Sequence, residues 1–375
     1  MTKNQPHIAF YIYQLYGGGA ERMIVNLMQN FVQRGLKIDL VLNKIAGPYL
    51  PLVPPEVRII NLDASLPFRD GIPSLINYFK TEKPLVMLAT VHPYVEVALL
   101  AKAFAFTSTR VFVREDNILS LNTPTVRDKA RWSPFFAKLL YPWVADGIIA
   151  ISQGVSEDIA QITGLSKTNI SVIYNPAITS YLKNKSLESL DHPWFKSEEP
   201  PVILGVGRLE PQKDFSNLLR AFALVRKVRS CRLIILGQGI EQAKLQNLIT
   251  DLGLKNDVDM PGFVENPYTY MAKAAVFVLS SAWEGFGNVI VESLALGTPV
   301  VCTNCPGGPA EILADGKYGW LVPVGDSKTM AEAILKVLSG ESKLPDEAHL
   351  KQFKLETVAQ QYLDVMGVSQ FKNKI

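Results

Sequence analysis

The chain has 375 residues with a formal net charge of +3, and 48% of its residues are hydrophobic while 19% are charged. This length indicates two or three domains, and the composition predicts packed cores and excludes an intrinsically disordered chain. The charge excess is far below that of a typical nucleic-acid-binding domain, so we expect no nucleic acid among the partners.

The cysteine content and the apolar runs bear on the compartment. Three cysteines, an odd and sparse number, indicate a reducing environment. The run IAFYIY near the start is predicted to be a buried strand rather than a signal peptide. The longest apolar stretch, residues 84–104, is interrupted by charged residues and a proline, so it does not predict a membrane span. We expect a cytoplasmic protein that is soluble or lies at the cytoplasmic face of the inner membrane.

Short apolar runs alternate with helical patterns, beginning with HIAFYIY (7–13) and KIDLVLN (37–43) and returning at PVILGVG (201–207). Buried strands that alternate with amphipathic helices predict parallel sheets covered by helices on both faces, which is an α/β fold. A polar, proline-containing stretch interrupts this pattern once. We therefore predict two doubly wound domains at 1–175 and 202–350, a linker at 176–201, and a helix within 351–375 for which a return to the N-terminal domain is one option.

The segment GVGRLEPQKDF (205–215) reads as a strand end, a loop and a helix start. Arg208 and Lys213 lie in the loop, and two cations beside a helix N-terminus can bind a diphosphate without a metal. The alternative is a solvated loop in which these cations pair with Glu210 and Asp214.

A second candidate phosphate loop, YGGGAER (16–22), follows the first predicted strand. Its glycines would let backbone amides approach phosphate oxygens. Arg22 stands where the third glycine of a dinucleotide fingerprint belongs, so the loop does not predict a nicotinamide site. A tight turn between strand and helix is the alternative.

Two carboxylates stand in the segment SSAWEGFGNVIVESLAL (280–296). Glu284 lies in a glycine turn at a strand's carboxyl end, and Glu292 is the lone charge on an apolar helix that Asn288 is expected to cap. A buried carboxylate must be paired or hydrogen-bonded. A ribose diol would offer two hydroxyl donors to Glu292, whereas a Lys or Arg from another element is the alternative partner.

The run E-G-F-G-N-x-x-x-E at 284–292 resembles the E-x7-E motif of the retaining glycosyltransferases of family 4, which have the GT-B fold. Four further segments match in order: GGGAERMIVNL, VIYNPA, GVGRLEPQKDF, and GTPVVCTNCPGGPAEIL with the GWLV that follows it. The resemblance covers nearly the whole chain and implies two Rossmann-like domains that face each other across a cleft, an N-terminal acceptor domain and a C-terminal donor domain.

The resemblance also implies roles for individual residues. Arg208 and Lys213 would neutralise the donor diphosphate, and Glu292 would hold the nucleotide ribose. Glu284 would hold the transferred sugar. The remaining donor-binding residues implied are Gly18 and Gly19 near the diphosphate, Phe263 near the base, and Phe286, Gly287 and Asn288 as amide donors to the sugar. Members of the family typically need no metal, so no cofactor and no metal site are expected.

The acceptor side is less defined by the family pattern. Many members place a His after the strand at 111–115, where this chain has Arg114, Glu115, Asp116 and Asn117 instead. Arg114, Asp116 and Asn117 are therefore candidate acceptor contacts. His92 follows another strand of the first domain and is a further candidate, with a structural His as the alternative.

The segment 123–147 mixes basic and aromatic residues. This mixture favours contact with an anionic membrane surface, and the alternative is a helix packed on its own domain. Elsewhere, Asp257 and Asp259 form a DxD that we interpret as the solvated start of a strand rather than a metal site. Cys302 and Cys305 form a CxxC that we interpret as a turn at a strand end.

Together these features predict a retaining glycosyltransferase of cell-surface polysaccharide synthesis. It would transfer a hexose or N-acetylhexosamine from a nucleotide diphosphate sugar, UDP being preferred to GDP, to a glycan or lipid-linked oligosaccharide. The alternatives are a nucleotide-sugar epimerase of the same fold, a nicotinamide-dependent oxidoreductase and a non-catalytic glycan-binding relative.

Overall fold

The computed structural model describes residues 6–16, 18–121 and 132–369. The chain divides into two compact units. Unit 1 comprises Met1–Pro176 and Phe353–Ile375, and unit 2 comprises Ala177–Gln352.

The described residues of unit 1 form a parallel sheet with the strand order β3-β2-β1-β4-β5-β6-β7. The strands are β1 (His7–Ile12), β2 (Lys37–Leu42), β3 (Arg58–Asn61), β4 (Val86–Thr90), β5 (Arg110–Glu115), β6 (Gly147–Ala150) and β7 (Ile170–Val172). The central strands are buried almost throughout, as expected for a sheet covered on both faces. The order of the strands reverses between β1 and β4.

The helices that follow these strands bury apolar faces against the sheet. They are α1 (Gly19–Gln33), α2 (Ile72–Glu82), α3 (Tyr94–Ala105), α4 (Ser133–Val144) and α5 (Gln153–Thr163). In α1 the buried residues include Met23, Leu27 and Phe31, one turn apart, which is the spacing of a core-facing stripe. None of the helices within the described ranges is both long enough and apolar enough to cross a membrane.

Unit 2 has a second parallel sheet, with the order β10-β9-β8-β11-β12-β13. Its strands are β8 (Val202–Val206), β9 (Arg232–Leu236), β10 (Val258–Gly262), β11 (Val276–Leu279), β12 (Val300–Thr303) and β13 (Trp320–Val322). The strand order reverses here between β8 and β11. Its helices are α6 (Ser180–Ser186), α7 (Phe215–Val228), α8 (Gln242–Asp251), α9 (Tyr268–Lys273), α10 (Asn288–Ala295), α11 (Pro309–Ile312), α12 (Ser327–Leu338) and α13 (Glu347–Leu350).

The stretch predicted as a linker, 176–201, is folded as part of unit 2 from Ala177 onward. It contains α6, whose first turn is capped by Thr179, and the amide of Asn266 donates to the carbonyl of Lys185 at 2.8 Å. Ile178 and Leu182 are buried. The polar, proline-containing composition predicts a linker because the buried apolar residues that anchor the stretch are too few to form a pattern.

The last helix, α14 (Leu355–Val365), belongs to unit 1. Val358, Tyr362 and Met366 are buried in the same core as α1 and β1. Arg110 Nη2 donates to the carbonyl of Met366 at 2.7 Å, which ties the end of α14 to the start of β5.

Candidate functional site

Ligands of open parallel sheets bind beyond the carboxyl ends of the strands, at the point where the strand order reverses. In unit 2 that point lies between β8 and β11. The loop 207–214 follows β8 and carries Arg208 and Lys213, while the loop 280–287 follows β11 and carries Glu284. The topology therefore brings together three of the residues predicted to bind the donor.

Backbone and side-chain hydrogen bonds tie these two loops to each other. Ser280 Oγ donates to the carbonyl of Lys213 at 2.8 Å, and the amide of Ala282 donates to the carbonyl of Gln212 at 2.8 Å. Gln212 Nε2 in turn donates to the carbonyl of Trp283 at 2.9 Å. The two loops are held together as one polar layer, so the candidate side chains on them are carried by a fixed backbone.

Lys213 and Glu284 form the centre of this layer. Lys213 Nζ lies 2.6 Å from Glu284 Oε1, and Ser281 Oγ donates to the same oxygen at 2.6 Å. Only 16% of the Lys213 side chain and 7% of the Glu284 side chain are exposed. Arg208 differs, since 67% of its side chain is exposed and Nη1 donates to Glu210 Oε1 at 3.0 Å. The predicted alternative, a solvated pair with Glu210, describes Arg208 but not Lys213.

A third loop supports Glu284 from behind. The Glu284 amide donates to the carbonyl of Pro306 at 3.0 Å. Gly307 has φ +115°, and a Cβ added there would lie 1.7 Å from the carbonyl oxygen of Glu284. A Cβ at Gly308 would lie 2.7 Å from the carbonyl oxygen of Phe286. Only glycines allow this approach of one backbone to the other, so the segment CPGGP serves to set the turn 284–287.

The helix start at α10 differs from the prediction. Asn288 is the first helical residue, and Gly287, with φ +100°, occupies the cap position without a side-chain cap. A positive φ is what glycine tolerates and asparagine less readily, which explains the shift by one residue. Glu292 is consequently the fifth residue of α10, half-buried between the buried residues Val291 and Ser293. Phe263 follows β10 and is exposed.

The residues of the DxD and CxxC motifs are held by contacts within unit 2. Asp257 accepts from Arg226 Nη2 at 2.9 Å and also contacts Arg232, and Asp259 Oδ2 lies 3.0 Å from His192 Nε2. Both thiols of the CxxC are buried, and burial raises the pKa of Cys302 well above its usual value and that of Cys305 to about 12. Protonated, buried thiols fit the predicted strand-end turn.

In unit 1 the reversal of strand order lies between β1 and β4. Gly18 and Gly19 follow β1 at the start of α1, while Gly17 lies outside the described residues. His92 follows β4, with Nδ1 2.8 Å from Glu96 Oε1 and Nε2 2.9 Å from Glu115 Oε2. Tyr141 of α4 also donates to Glu115. Neither Glu96 nor Tyr141 was predicted, because their role depends on contacts across elements.

Arg114, a predicted acceptor contact, is buried and hydrogen-bonded within unit 1. It is fully buried, and its guanidinium donates to Thr90 Oγ1 at 3.2 Å, Asn175 Oδ1 at 2.7 Å and Tyr362 OH at 3.2 Å. Asp116, the next candidate along, keeps 24% of its side chain exposed. Asn117 Oδ1 accepts from the amide of Ile118 at 3.2 Å within the turn.

One face of α4 is apolar and exposed. We call this the α4 face, formed by residues three or four apart that are 54% to 85% exposed: Trp132, Phe135, Leu139 and Trp143. Phe104 and Phe106 are exposed at the end of α3, and Lys102 Nζ donates to the carbonyl of Val144 at 2.8 Å, which brings the ends of the two helices together. Arg127, Lys129 and Arg131, three basic residues of the segment 123–147, lie outside the described residues.

Comparison with known proteins gives two family matches and relatives that align with nearly the whole chain. Residues 17–181 match the model described as Glycosyltransferase Family 4, and residues 188–353 match the model described as Glycosyl transferases group 1. The N-acetylgalactosamine-N,N'-diacetylbacillosaminyl-diphospho-undecaprenol 4-alpha-N-acetylgalactosaminyltransferase of Campylobacter jejuni is 31% identical over 349 residues, which cover 90% of this chain and 91% of the relative.

Two solved structures are similar along nearly their whole length. The apo form of the lipopolysaccharide outer core galactosyltransferase WaaB has a TM-score of 0.74 at 22% identity and covers 96% of this chain and 99% of its own. Anabaena Alr3699/HepE in complex with UDP has a TM-score of 0.70 at 23% identity and covers 97% of both chains. These likenesses confirm the predicted fold class, two Rossmann-like domains of the GT-B type.

Proposed function

This chain belongs to glycosyltransferase family 4, and from that premise we propose that it transfers a hexose or N-acetylhexosamine from a nucleotide diphosphate sugar with retention at the anomeric carbon. UDP, which is bound in the similar HepE structure, is the proposed donor nucleotide in preference to GDP. The acceptor is a growing glycan or lipid-linked saccharide of the cell surface. That the chain is a glycosyltransferase follows from its family, whereas the donor, the stereochemistry and the acceptor are our proposal.

The observation that carries the proposal is the Lys213–Glu284 pair at the reversal of strand order in unit 2. When the bond to a nucleotide diphosphate breaks, negative charge develops on the leaving diphosphate. A cation held in advance at that place stabilises the charge without a reorganisation cost. Lys213 is held by its loop and by Glu284, and Arg208 supplies a second, exposed cation from the same loop.

The remaining proposed donor contacts come from residues at the same edge of the unit 2 sheet. Glu284 accepts hydrogen bonds from hydroxyls of the transferred sugar, beside the amides of Phe286, Gly287 and Asn288. Glu292, half-buried one turn into α10, accepts from the ribose hydroxyls. Phe263 is exposed at the end of β10 and lies beside the base. In this mechanism no side chain acts as nucleophile, and the leaving phosphate takes the proton of the acceptor hydroxyl.

Calorimetric titration of UDP, GDP and NAD in the presence of EDTA tests the donor assignment. We expect micromolar binding of one nucleoside diphosphate and none of NAD. Incubation with UDP-hexoses and UDP-N-acetylhexosamines then separates the activities, since an epimerase converts the donor without an acceptor. Nuclear magnetic resonance of the product's anomeric signal reports the stereochemistry. Absence of binding to both diphosphates would overturn the proposal and favour a non-catalytic relative.

The α4 face supports the second part of the proposal, contact with the anionic cytoplasmic face of the inner membrane. Large aromatic residues that are exposed along one face of a helix bind the boundary between headgroups and acyl chains. Lys138, exposed on the same helix, suits anionic lipid headgroups. The name of the Campylobacter jejuni relative describes a substrate on diphospho-undecaprenol, which is a lipid. A lipid-linked acceptor would require the enzyme to work at the membrane surface.

Sedimentation with phosphatidylglycerol vesicles tests this contact. Trp143 is 85% exposed on the α4 face, and Ile240 is 86% exposed in unit 2, so the two form a matched pair. We expect Trp143→Ser to reduce vesicle binding about tenfold, since burying such a ring contributes a few kcal/mol, and Ile240→Ser to leave it unchanged. Equal vesicle binding by the two variants would contradict the membrane assignment. So would sedimentation of the wild type that is the same with and without vesicles.

A further inference from the structure

The helix that follows the CPGGP segment is short and ends in a strained turn. α11 has four residues, and three consecutive residues soon after it, Ala314, Asp315 and Gly316, have positive φ at +45°, +52° and +90°. Alanine and aspartate adopt this conformation only where the surrounding structure imposes it, because it raises the free energy of their backbone. Contacts with another part of the chain are therefore needed to hold α11 and its turn.

Those contacts come from the segment 343–352, near the end of unit 2. His349 Nε2 lies 2.8 Å from the carbonyl oxygen of Ile312, the last residue of α11. Lys343 Nζ donates to the carbonyl of Gly316 at 3.0 Å. The segment thus holds both the end of α11 and the strained turn that follows it.

The surroundings of His349 define which ring nitrogen donates. Gln352 Nε2 donates to the His349 carbonyl at 2.9 Å and lies 3.2 Å from His349 Nδ1, so Nδ1 is an acceptor. Nε2 then carries the proton and donates to Ile312. The imidazole packs on the ring of Tyr318 with centroids 4.4 Å apart, and the His349 amide donates to Asp346 Oδ1 at 2.8 Å. These contacts orient the Nε2 proton toward α11.

α11 in turn contacts the turn that carries Glu284. The amide of Ile312 donates to the carbonyl of Gly308 at 3.0 Å, and Gly308 is the glycine that packs against the backbone of Phe286. The Ile312 side chain is fully buried, and its Cδ1 lies 3.9 Å from the position that a Cβ on Gly287 would occupy. A shift of Ile312 would therefore displace the backbone at Phe286 and Gly287.

The amides of this turn are the proposed hydrogen-bond donors to the transferred sugar. We propose that His349 is a positioning residue of the donor site, which acts through Ile312 to hold the amides of Phe286, Gly287 and Asn288 in place. This inference rests on the proposed function. It assigns to His349 an effect on binding of the sugar part of the donor that is larger than its effect on binding of the nucleotide.

Calorimetric titration with UDP and with the UDP derivatives of glucose, galactose, N-acetylglucosamine and N-acetylgalactosamine tests this role. His349→Phe keeps an aromatic ring beside Tyr318 but loses the donor to Ile312. We expect it to weaken UDP-sugar binding about fivefold, the effect of losing one hydrogen bond, and UDP binding less than twofold. His349→Gln retains a side-chain N–H donor and should bind the UDP-sugar within twofold of wild type. Equal weakening of UDP and UDP-sugar binding in His349→Phe would overturn the positioning role.

His192→Phe is the matched control. His192 is a second histidine of unit 2 that packs on an aromatic ring, and its Nε2 lies 3.0 Å from Asp259 Oδ2. Asp259 belongs to β10, at the opposite edge of the sheet from β13. We expect the control to leave the ratio of UDP-sugar affinity to UDP affinity unchanged. A change of ratio as large as that in His349→Phe would overturn the specific role of His349.

Hydrogen–deuterium exchange measures the same link without a ligand. The Glu284 amide is hydrogen-bonded to the CPGGP segment, so its exchange rate reports whether the turn is held. We expect His349→Phe to raise exchange in peptides that span 282–292 about fivefold and to leave exchange in β9 unchanged. Lys343→Met loses the other donor of the segment and should act in the same direction, which decides the question if His349→Phe fails to fold. Unchanged exchange in 282–292 would overturn the link.

The two experiments keep this inference apart from the proposed function. Wild type that binds neither UDP nor a UDP-sugar overturns the UDP-sugar donor site, while faster exchange in His349→Phe would still support the link from His349 to the turn. Wild type that binds a UDP-sugar, with His349→Phe unchanged in both experiments, overturns the inference and leaves the donor site standing.

Discussion

Lys213 Nζ and Glu284 Oε1 lie 2.6 Å apart, although 71 residues separate them along the chain. Each belongs to the loop after one of the two strands between which the order of the sheet reverses. The proposed diphosphate cation therefore pairs with the proposed sugar-binding carboxylate. The pair keeps both charges satisfied at low exposure, and it places them where a glycosyl diphosphate would need both.

Loss of Lys213 should slow the chemical step. We expect Lys213→Gln to lower kcat by about 10²- to 10³-fold, the range found when one preorganised donor to a developing charge is removed. Initial rates at saturating donor and acceptor measure this effect. Lys244→Gln is the control, since Lys244 forms an exposed pair with Glu241 on α8. A Lys213→Gln enzyme within threefold of wild type would contradict the role in charge stabilisation.

The Lys213–Glu284 pair should also affect the free energy of unfolding. Lys213→Gln leaves Glu284 buried without its cation, which costs about 3 kcal/mol when a buried pair is broken. Glu284→Gln combined with Lys213→Gln removes both charges, so we expect the double variant to be more stable than Lys213→Gln. Urea unfolding of wild type, Lys213→Gln, Glu284→Gln and the double variant measures the difference. Strictly additive losses would show that the two residues do not interact in solution.

Gly307 should be irreplaceable because a side chain there meets backbone. We expect Gly307→Ala to lower the free energy of unfolding by more than about 3 kcal/mol and to reduce nucleotide binding, since the turn that carries Glu284 must move. Gly340→Ala is the control, because Gly340 also has a positive φ, +99°, but a Cβ there would contact nothing within 4 Å. Calorimetric melting and UDP titration measure both. Similar losses in the two variants would attribute the effect to backbone conformation alone.

Glu292 is predicted to hold the nucleotide ribose. We expect Glu292→Ala to weaken UDP binding at least tenfold, because two hydroxyl donors lose a charged acceptor. Glu332→Ala on the exposed side of α12 is the control. Calorimetric titration of the two variants decides the role, and unchanged UDP affinity in Glu292→Ala would make this carboxylate a structural partner within unit 2.

Asp39 gives unit 1 a stability that depends on pH. It is fully buried on β2 and accepts from Arg58 Nη2 at 2.6 Å and Tyr78 OH at 2.8 Å, with His7 Nε2 also 2.8 Å away. Burial alone would raise the pKa of Asp39, but hydrogen bonds from His7, Arg58 and Tyr78 outweigh burial and lower that pKa well below its usual value. A group whose pKa is lower in the folded state stabilises above its unfolded pKa, and that contribution is lost as the pH falls.

We therefore expect Asp39→Asn to be less stable than wild type at neutral pH by about 2 kcal/mol, and this gap to shrink below about pH 4. Urea unfolding across a pH series measures the gap. Asp251→Asn, at the exposed end of α8, should show no such dependence. A gap that stays constant down to pH 3 would mean that the carboxylate charge is not the source of the stability.

The sequence was sufficient to predict the architecture of two parallel sheets covered by helices. Alternating apolar runs predict parallel strands, and the rule for their carboxyl ends places Lys213 and Glu284 near each other. The features that the sequence could not predict depend on contacts between elements that are distant along the chain. Arg114 can be buried because Asn175 and Tyr362 accept its hydrogen bonds. The segment CPGGP contains no charged residue, and nothing in its sequence indicates that Gly307 contacts the backbone of Glu284.

The interpretation of the motifs was limited in a similar way. Asn288 is a good cap residue in isolation, but the positive φ required at the cap position selects Gly287. The composition of 176–201 suggested a linker because Ile178 and Leu182, the residues that anchor it, are too few to form a pattern. His92 was predicted to contact a ligand or to be structural, and the choice depends on Glu96, four residues further along, and on Glu115, which no spacing rule connects to it.

The position of α14 has a consequence for how the protein is made. Domains emerge from the ribosome from the N-terminus and usually fold as they appear. Unit 1 lacks part of its core until Tyr362 and Met366 have been synthesised, whereas unit 2 ends at Gln352 and is complete before that. Unit 2 can therefore reach its native structure first. The N-terminal part of unit 1 keeps apolar core surface exposed until α14 has been synthesised and packs against it.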